Sequence, residues 1–135
     1  MSITIKTKYL GNLRTESTHL KSESLVITDA PVDNKGKGEA FSPTDLLATS
    51  LATCMMTIMG IAANQHNLSI ENLCCDVTKI MATNPRRVSE IIVEFHFAAN
   101  DFDEMQKDIL RDAASSCPVA FSLHSDLKKT TIFNF

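Results

Sequence analysis

The sequence predicts an α+β fold in a single domain spanning residues 1–135, on three observations. Alternating apolar and polar residues open the chain and recur over about 88–98, as half-buried strands do. Residues 46–63 form an apolar stretch of eighteen residues without one charge, directly behind a capping sequence, as in a helix taken out of water. A shorter segment after about residue 101 has helical spacing. With 135 residues, 44% hydrophobic and 21% charged, the chain can bury one continuous core. Thirteen basic against sixteen acidic residues give a net charge of −3, no Lys/Arg run exceeds two, and Trp is absent, which excludes a nucleic-acid footprint.

Residues 3–9 read as a strand, Ile3 and Ile5 alternating with Thr4 and Lys6. The same alternation breaks the apolar run that a secretion signal needs, so a cytoplasmic protein is expected. Gly11 and Asn12 are turn material, and residues 13–28 hold one or two further strands of an antiparallel meander. Pro31, Asn34, Gly36 and Gly38 make residues 29–41 a mobile loop that resists packing. Ser42-Pro43-Thr44-Asp45 is a helix start, with Ser42 as cap, Pro43 in the first helical position and Asp45 in the positive first turn. That helix is expected to run to about Gln65.

Leu47, Leu51, Met55 and Ile58 mark one face of it, while Leu46, Met56, Met59 and Ala63 cover others. Thr49, Ser50, Thr53, Thr57 and Gly60 within the run, and the lack of flanking aromatic or basic anchors, favour a core helix over a membrane span. One thin sheet cannot cover a helix that is apolar nearly all round, so an intertwined homodimer is expected. Residues 70–81 and 88–98 form a hairpin through Thr83-Asn84-Pro85, with Ile91, Val93, Phe95 and Phe97 on one face. A second helix, capped by Asn100 or Asp101, presents Phe102, Met105, Ile109 and Ala113. Pro118 starts a short helix over about 119–125, and residues 128–135 return as a last strand.

Four cysteines without a secretion signal point to redox chemistry or metal binding rather than a disulfide framework. Cys54 sits between Leu51 and Ile58 as a small core residue would. Cys117 precedes Pro118, where free backbone N–H groups and a positive helix end lower a thiol pKa. Cys74 and Cys75 are adjacent on a strand, point to opposite faces, and are read as structural.

Residues 42–54, Ser-Pro-Thr-Asp-Leu-Leu-Ala-Thr-Ser-Leu-Ala-Thr-Cys, resemble the central helix of the OsmC/Ohr family, which starts after a Pro and ends a small-residue stretch in the peroxidatic cysteine. Cys117-Pro118-Val119 is similar to that family's second cysteine motif. The resemblance implies antiparallel sheets wrapped around two central helices in a tight homodimer with redox sites at the subunit interface. It implies a thiol peroxidase in which Cys54 attacks an organic hydroperoxide and Cys117 closes a disulfide that an external dithiol, lipoyl-type or thioredoxin-like, reduces. No metal or other cofactor is expected. An arginine of the first hairpin, held by a carboxylate, activates the family's thiol; Arg14 is the arginine in that segment, with Arg86 and Arg87 as substitutes. The organic hydroperoxide enzymes carry Glu ten residues before the cysteine, where Thr44 stands here, so Asp45 or Glu39 supplies the carboxylate. Asp45 otherwise serves only to start the helix.

A non-catalytic redox sensor or small-ligand binder is the alternative, with Met55, Met56 and Met59 forming an adaptable apolar surface. A metal site from Cys54, Cys117 and His66 or His124 is the third, without close Cys-x-x-Cys or His-x-x-x-His spacing to support it.

Overall fold

A computed structural model describes residues 1–135, which divide into two compact units, Met1–Leu46 and Leu47–Phe135. In the first unit β1 (Ile5–Gly11), β2 (Arg14–His19) and β3 (Leu25–Asp29) form the expected antiparallel meander in the order β1-β2-β3. Every residue of β1 before Gly11 is exposed, Tyr9 and Leu10 among them, so this unit buries almost no apolar surface of its own. Residues 30–41 form the expected turn-rich loop, largely exposed. A 3₁₀ turn (Val32–Asn34) folds the segment back, with Gly36 N–H donating to the Pro31 carbonyl and Gly38 N–H to that of Ala30. A Cβ at Gly36 would lie 1.8 Å from the Ala30 carbonyl oxygen, so glycine here permits packing rather than preventing it.

The central helix α1 (Pro43–Gln65) has the predicted bounds. Its start is a reciprocal cap: Ser42 Oγ accepts from Asp45 N–H at 3.1 Å, and Asp45 Oδ2 accepts from Ser42 N–H at 2.9 Å. α1 is long and apolar enough to cross a membrane by length and composition, yet Ala48, Leu51, Ala52, Met55, Met59 and Ala63 are buried in a protein core. Thr53, Thr57 and Ile61, four residues apart, leave a second stripe of α1 exposed.

In the second unit β4 (Cys74–Ala82) and β5 (Arg87–His96) pair antiparallel. β4 starts later than predicted because Leu73 N–H closes a turn onto the Ile70 carbonyl and Asn72 takes a left-handed φ of 63°. Ile91, Val93 and Phe95 alternate into the core, each fully buried. β6 (Lys128–Asn134) runs parallel to β5, so the expectation of purely antiparallel sheets is corrected. The residues between these strands hold α2 (Glu104–Ser115) and α3 (Pro118–Ser122), the helical crossover that a parallel pair requires.

α2 also starts later than Asn100 or Asp101. Asp103 caps it in a box with Gln106, and the buried positions are Leu110 and Ala114 rather than the stripe through Met105, which is 73% exposed. Phe97, Phe102 and Phe133 gather around Phe135, with the Arg111 guanidinium 5.0 Å from its ring centre, and Phe95 stacks on Phe133. Replacing Ser42 by Ala removes one half of the α1 cap; the expected result is a loss of about 1 kcal/mol in urea unfolding, with helix content by circular dichroism unchanged in the folded state.

Candidate active site

Within the second unit the fold brings Cys54 and Cys117 together. Cys54 stands mid-way along α1, where the backbone N–H groups are already bonded within the helix and lend a thiol no dipole. Cys117 arrives from the other side as the cap of α3, and the two thiols are neighbours while both remain free. Cys117 is fully buried and Cys54 half-buried, so Cys54 is the member that solvent and solutes can reach.

The helix start does act on Cys117: its Sγ accepts from Ala120 N–H at 3.4 Å, and the Val119 N–H adds a second lowering influence. Burial outweighs both, and with the influence of the neighbouring Cys54 it raises the Cys117 pKa above the ordinary thiol value. This corrects the expectation of a lowered value from the helix end alone. Cys117 therefore keeps its proton beside the more accessible Cys54, an arrangement suited to a first attack by Cys54 and a later one by Cys117.

In the first unit Arg14 and Asp29 are cross-strand partners on β2 and β3. Arg14 Nη2 donates to Asp29 Oδ2 at 3.1 Å and to Glu39 Oε2 at 3.0 Å. Asp29 is fully buried and accepts a further bond from Glu39 N–H at 3.0 Å. That backbone bond leads in lowering the Asp29 pKa, burial opposes it, and Arg14 adds to it. The bonds to Asp29 and then Glu39 raise the Arg14 pKa in turn. Two carboxylates thus answer one guanidinium. Glu39 was among the expected carboxylates, whereas Asp29 reads in the sequence as the start of a loop and is legible only once the meander's register is known. Asp45 has its carboxylate on the Ser42 N–H, and Thr44 Oγ1 lies 3.2 Å from Ser42 Oγ.

The other candidates are held elsewhere. Arg87 Nη1 donates to the Thr83 and Pro85 carbonyls within its own hairpin turn, and the neighbouring Arg86 is exposed. His66 and His124 are exposed, the latter accepting from Asp126 N–H at 3.0 Å. Cys74 is exposed on one face of β4, while Cys75 on the other has its Sγ 3.7 Å from Met56 Sδ and a pKa raised mainly by burial.

Residues 36–131 match the family model described as OsmC-like protein. Among solved structures the chain is similar to one of Psychrobacter arcticus 273-4, described as an osmotic stress induced and detoxification response protein, with 49% identity, a TM-score of 0.95, and 99% of this chain and 97% of that one covered. An OsmC-like protein of Mycoplasma pneumoniae shares 19% identity at a TM-score of 0.79, covering 99% of this chain and 96% of that one. The organic hydroperoxide resistance protein OsmC of Legionella pneumophila shares 15% identity at a TM-score of 0.73, with 98% of both chains covered. The last two carry the likeness of fold alone. No curated protein sequence matches this chain.

The depressed Asp29 value fixes the sign of a pH effect. Its stabilising contribution is fully present above the unfolded carboxylate value of 3.8 and is lost as pH falls through the lower folded value. Asp29→Asn is expected to lower the urea midpoint at pH 7, and the gap from the wild type should narrow below about pH 4. A gap independent of pH would assign the loss to packing.

Proposed function

The chain belongs to the OsmC/Ohr family, and from that premise we propose that it is a thiol-dependent peroxidase acting on organic hydroperoxides, with hydrogen peroxide as a poorer substrate. One observation carries the reading: a half-buried Cys54 lies beside a fully buried Cys117 whose pKa is raised, mainly by burial. In the first step the Cys54 thiolate attacks one peroxide oxygen, the O–O bond breaks, and the departing alkoxide takes a proton to leave as alcohol. Cys54 is then a sulfenic acid. The Cys117 sulfur attacks that sulfur, water departs, and a Cys54–Cys117 disulfide stores the two-electron oxidation. An external dithiol, lipoyl-type or thioredoxin-like, returns both thiols.

The preference for organic substrates rests on the apolar surroundings of α1, since each buried methylene of a substrate contributes roughly 0.8 kcal/mol to binding. Arg14 is the proposed activating cation and Asp29 with Glu39 its anchors; Asp45 is left with the helix cap. Because two carboxylates already answer the Arg14 charge, its assistance to a thiolate is expected to be modest. That same neutralisation favours a second reading, in which the cysteine pair oxidises slowly and reports redox state without serving as an efficient peroxidase.

Single-turnover measurements separate the two readings. Cys54→Ser should consume no peroxide, because a serine hydroxyl is too weak a nucleophile at neutral pH. Cys117→Ser should consume about one equivalent and then stall as a sulfenic acid open to dimedone. A wild type without a burst, oxidising only over hours, would support the sensor. A burst retained in Cys54→Ser would reverse the roles of the two residues.

A homodimer is part of the proposal. The exposed stripe through Thr53, Thr57 and Ile61 and a first sheet that buries almost no apolar surface both call for cover that one chain does not supply. Sedimentation equilibrium at micromolar concentration should return the dimer mass, and a folded monomer there would remove that part of the account.

A further inference from the structure

Away from the cysteines, the face of the second sheet opposite Ile91, Val93 and Phe95 gathers metal-ligating side chains that the peroxidase reading does not use. Asp76 on β4 stands directly across from Glu94 on β5. Like charges in that relation destabilise a strand pair unless a positive group lies between them. His96, two residues along the same face, sets Nε2 3.0 Å from Asp76 Oδ2. One donor atom from each of Asp76, Glu94 and His96 lies within 4.8 Å of the others. Donors at about 2.1 Å around a tetrahedral ion are about 3.4 Å apart, so small turns of exposed side chains close the set.

Two further features suit an ion. Asp76 is 79% exposed and His96 39%, which leaves room for water to complete the coordination. Asn134, the β6 partner of His96, approaches from the third strand, its Nδ2 3.0 Å from Glu94 Oε1 and 3.3 Å from His96 Nδ1. The Asn134 amide donates to Glu94 Oε1 and so orients that carboxylate, as an outer support of a ligand does.

We propose that Asp76, Glu94 and His96 form a surface site for a divalent first-row transition ion, Zn2+ in the first instance, held by one imidazole and two carboxylates. Mixed nitrogen and oxygen donors select such an ion over Mg2+ or Ca2+, which take oxygen alone. The site is separate from the cysteine pair and does not rest on the peroxidase reading.

Zn2+ titrated into the full-length reduced protein, read by competition with a chromophoric chelator, should bind at about one equivalent per chain. His96→Gln, and separately Asp76→Asn with Glu94→Gln, should weaken that binding at least tenfold, whereas a Cys54→Ser/Cys117→Ser protein should retain it. On the unmodified protein, the ring Nε2 resonance of His96 should be the first of the four histidines to shift. Absence of binding, binding unchanged by the His96 and carboxylate substitutions, or binding lost only in the double-serine protein would overturn the assignment.

Discussion

Eighteen consecutive residues without a charge have to leave water, and the rest of the second unit is arranged around how α1 does so. Ala48, Leu51, Ala52, Met55, Met59 and Ala63 give it one packed face, which meets the alternating residues of β5 and the buried side of α2 in a single core. Small residues along that face let neighbouring elements approach closely, and the turn from α2 into α3 brings Cys117 against Cys54. The cysteine pair follows from the packing of α1, since a thiol in mid-helix has no charged neighbour on its own element and takes its surroundings from what lies against it.

Those surroundings set the chemistry. Burial favours the neutral thiol, and at Cys117 it outweighs two backbone N–H groups that pull the other way. A protonated, buried Cys117 beside a more accessible Cys54 makes the two sulfurs chemically unequal without a third residue to divide them. The charged cluster of the first unit is built on the opposite plan, with Arg14 closely matched by Asp29 and Glu39. Its evident effect is to tie the ends of β2 and β3 to the segment that leads into α1.

Much of this was legible in the sequence where local and tertiary demands coincide. The Ser42–Asp45 start and the uncharged run fixed α1 at both ends, and the alternation of Ile91, Val93 and Phe95 gave the core face of β5. Where two readings are locally equivalent, the pattern misled. The stripe through Met105 and the one through Leu110 and Ala114 both fit a helix; the Asp103–Gln106 capping box, present in the sequence as Asp-x-x-Gln, shifts the start and identifies the second. The parallel pairing of β6 depends on the two helices before it, which demand a crossover that strand alternation does not encode. Asp29 and the net rise at Cys117 were out of reach, since both are set by burial among residues distant in sequence.

The central claim is that Cys54 and Cys117 act as one redox unit, and peptide mapping after one equivalent of an organic hydroperoxide tests it most directly. Non-reducing digestion should yield a single linked species joining the Cys54 and Cys117 peptides, with Cys74 and Cys75 still alkylatable. Oxidation that links Cys74 or Cys75, or that leaves Cys117 free while Cys54 is oxidised further, would contradict it.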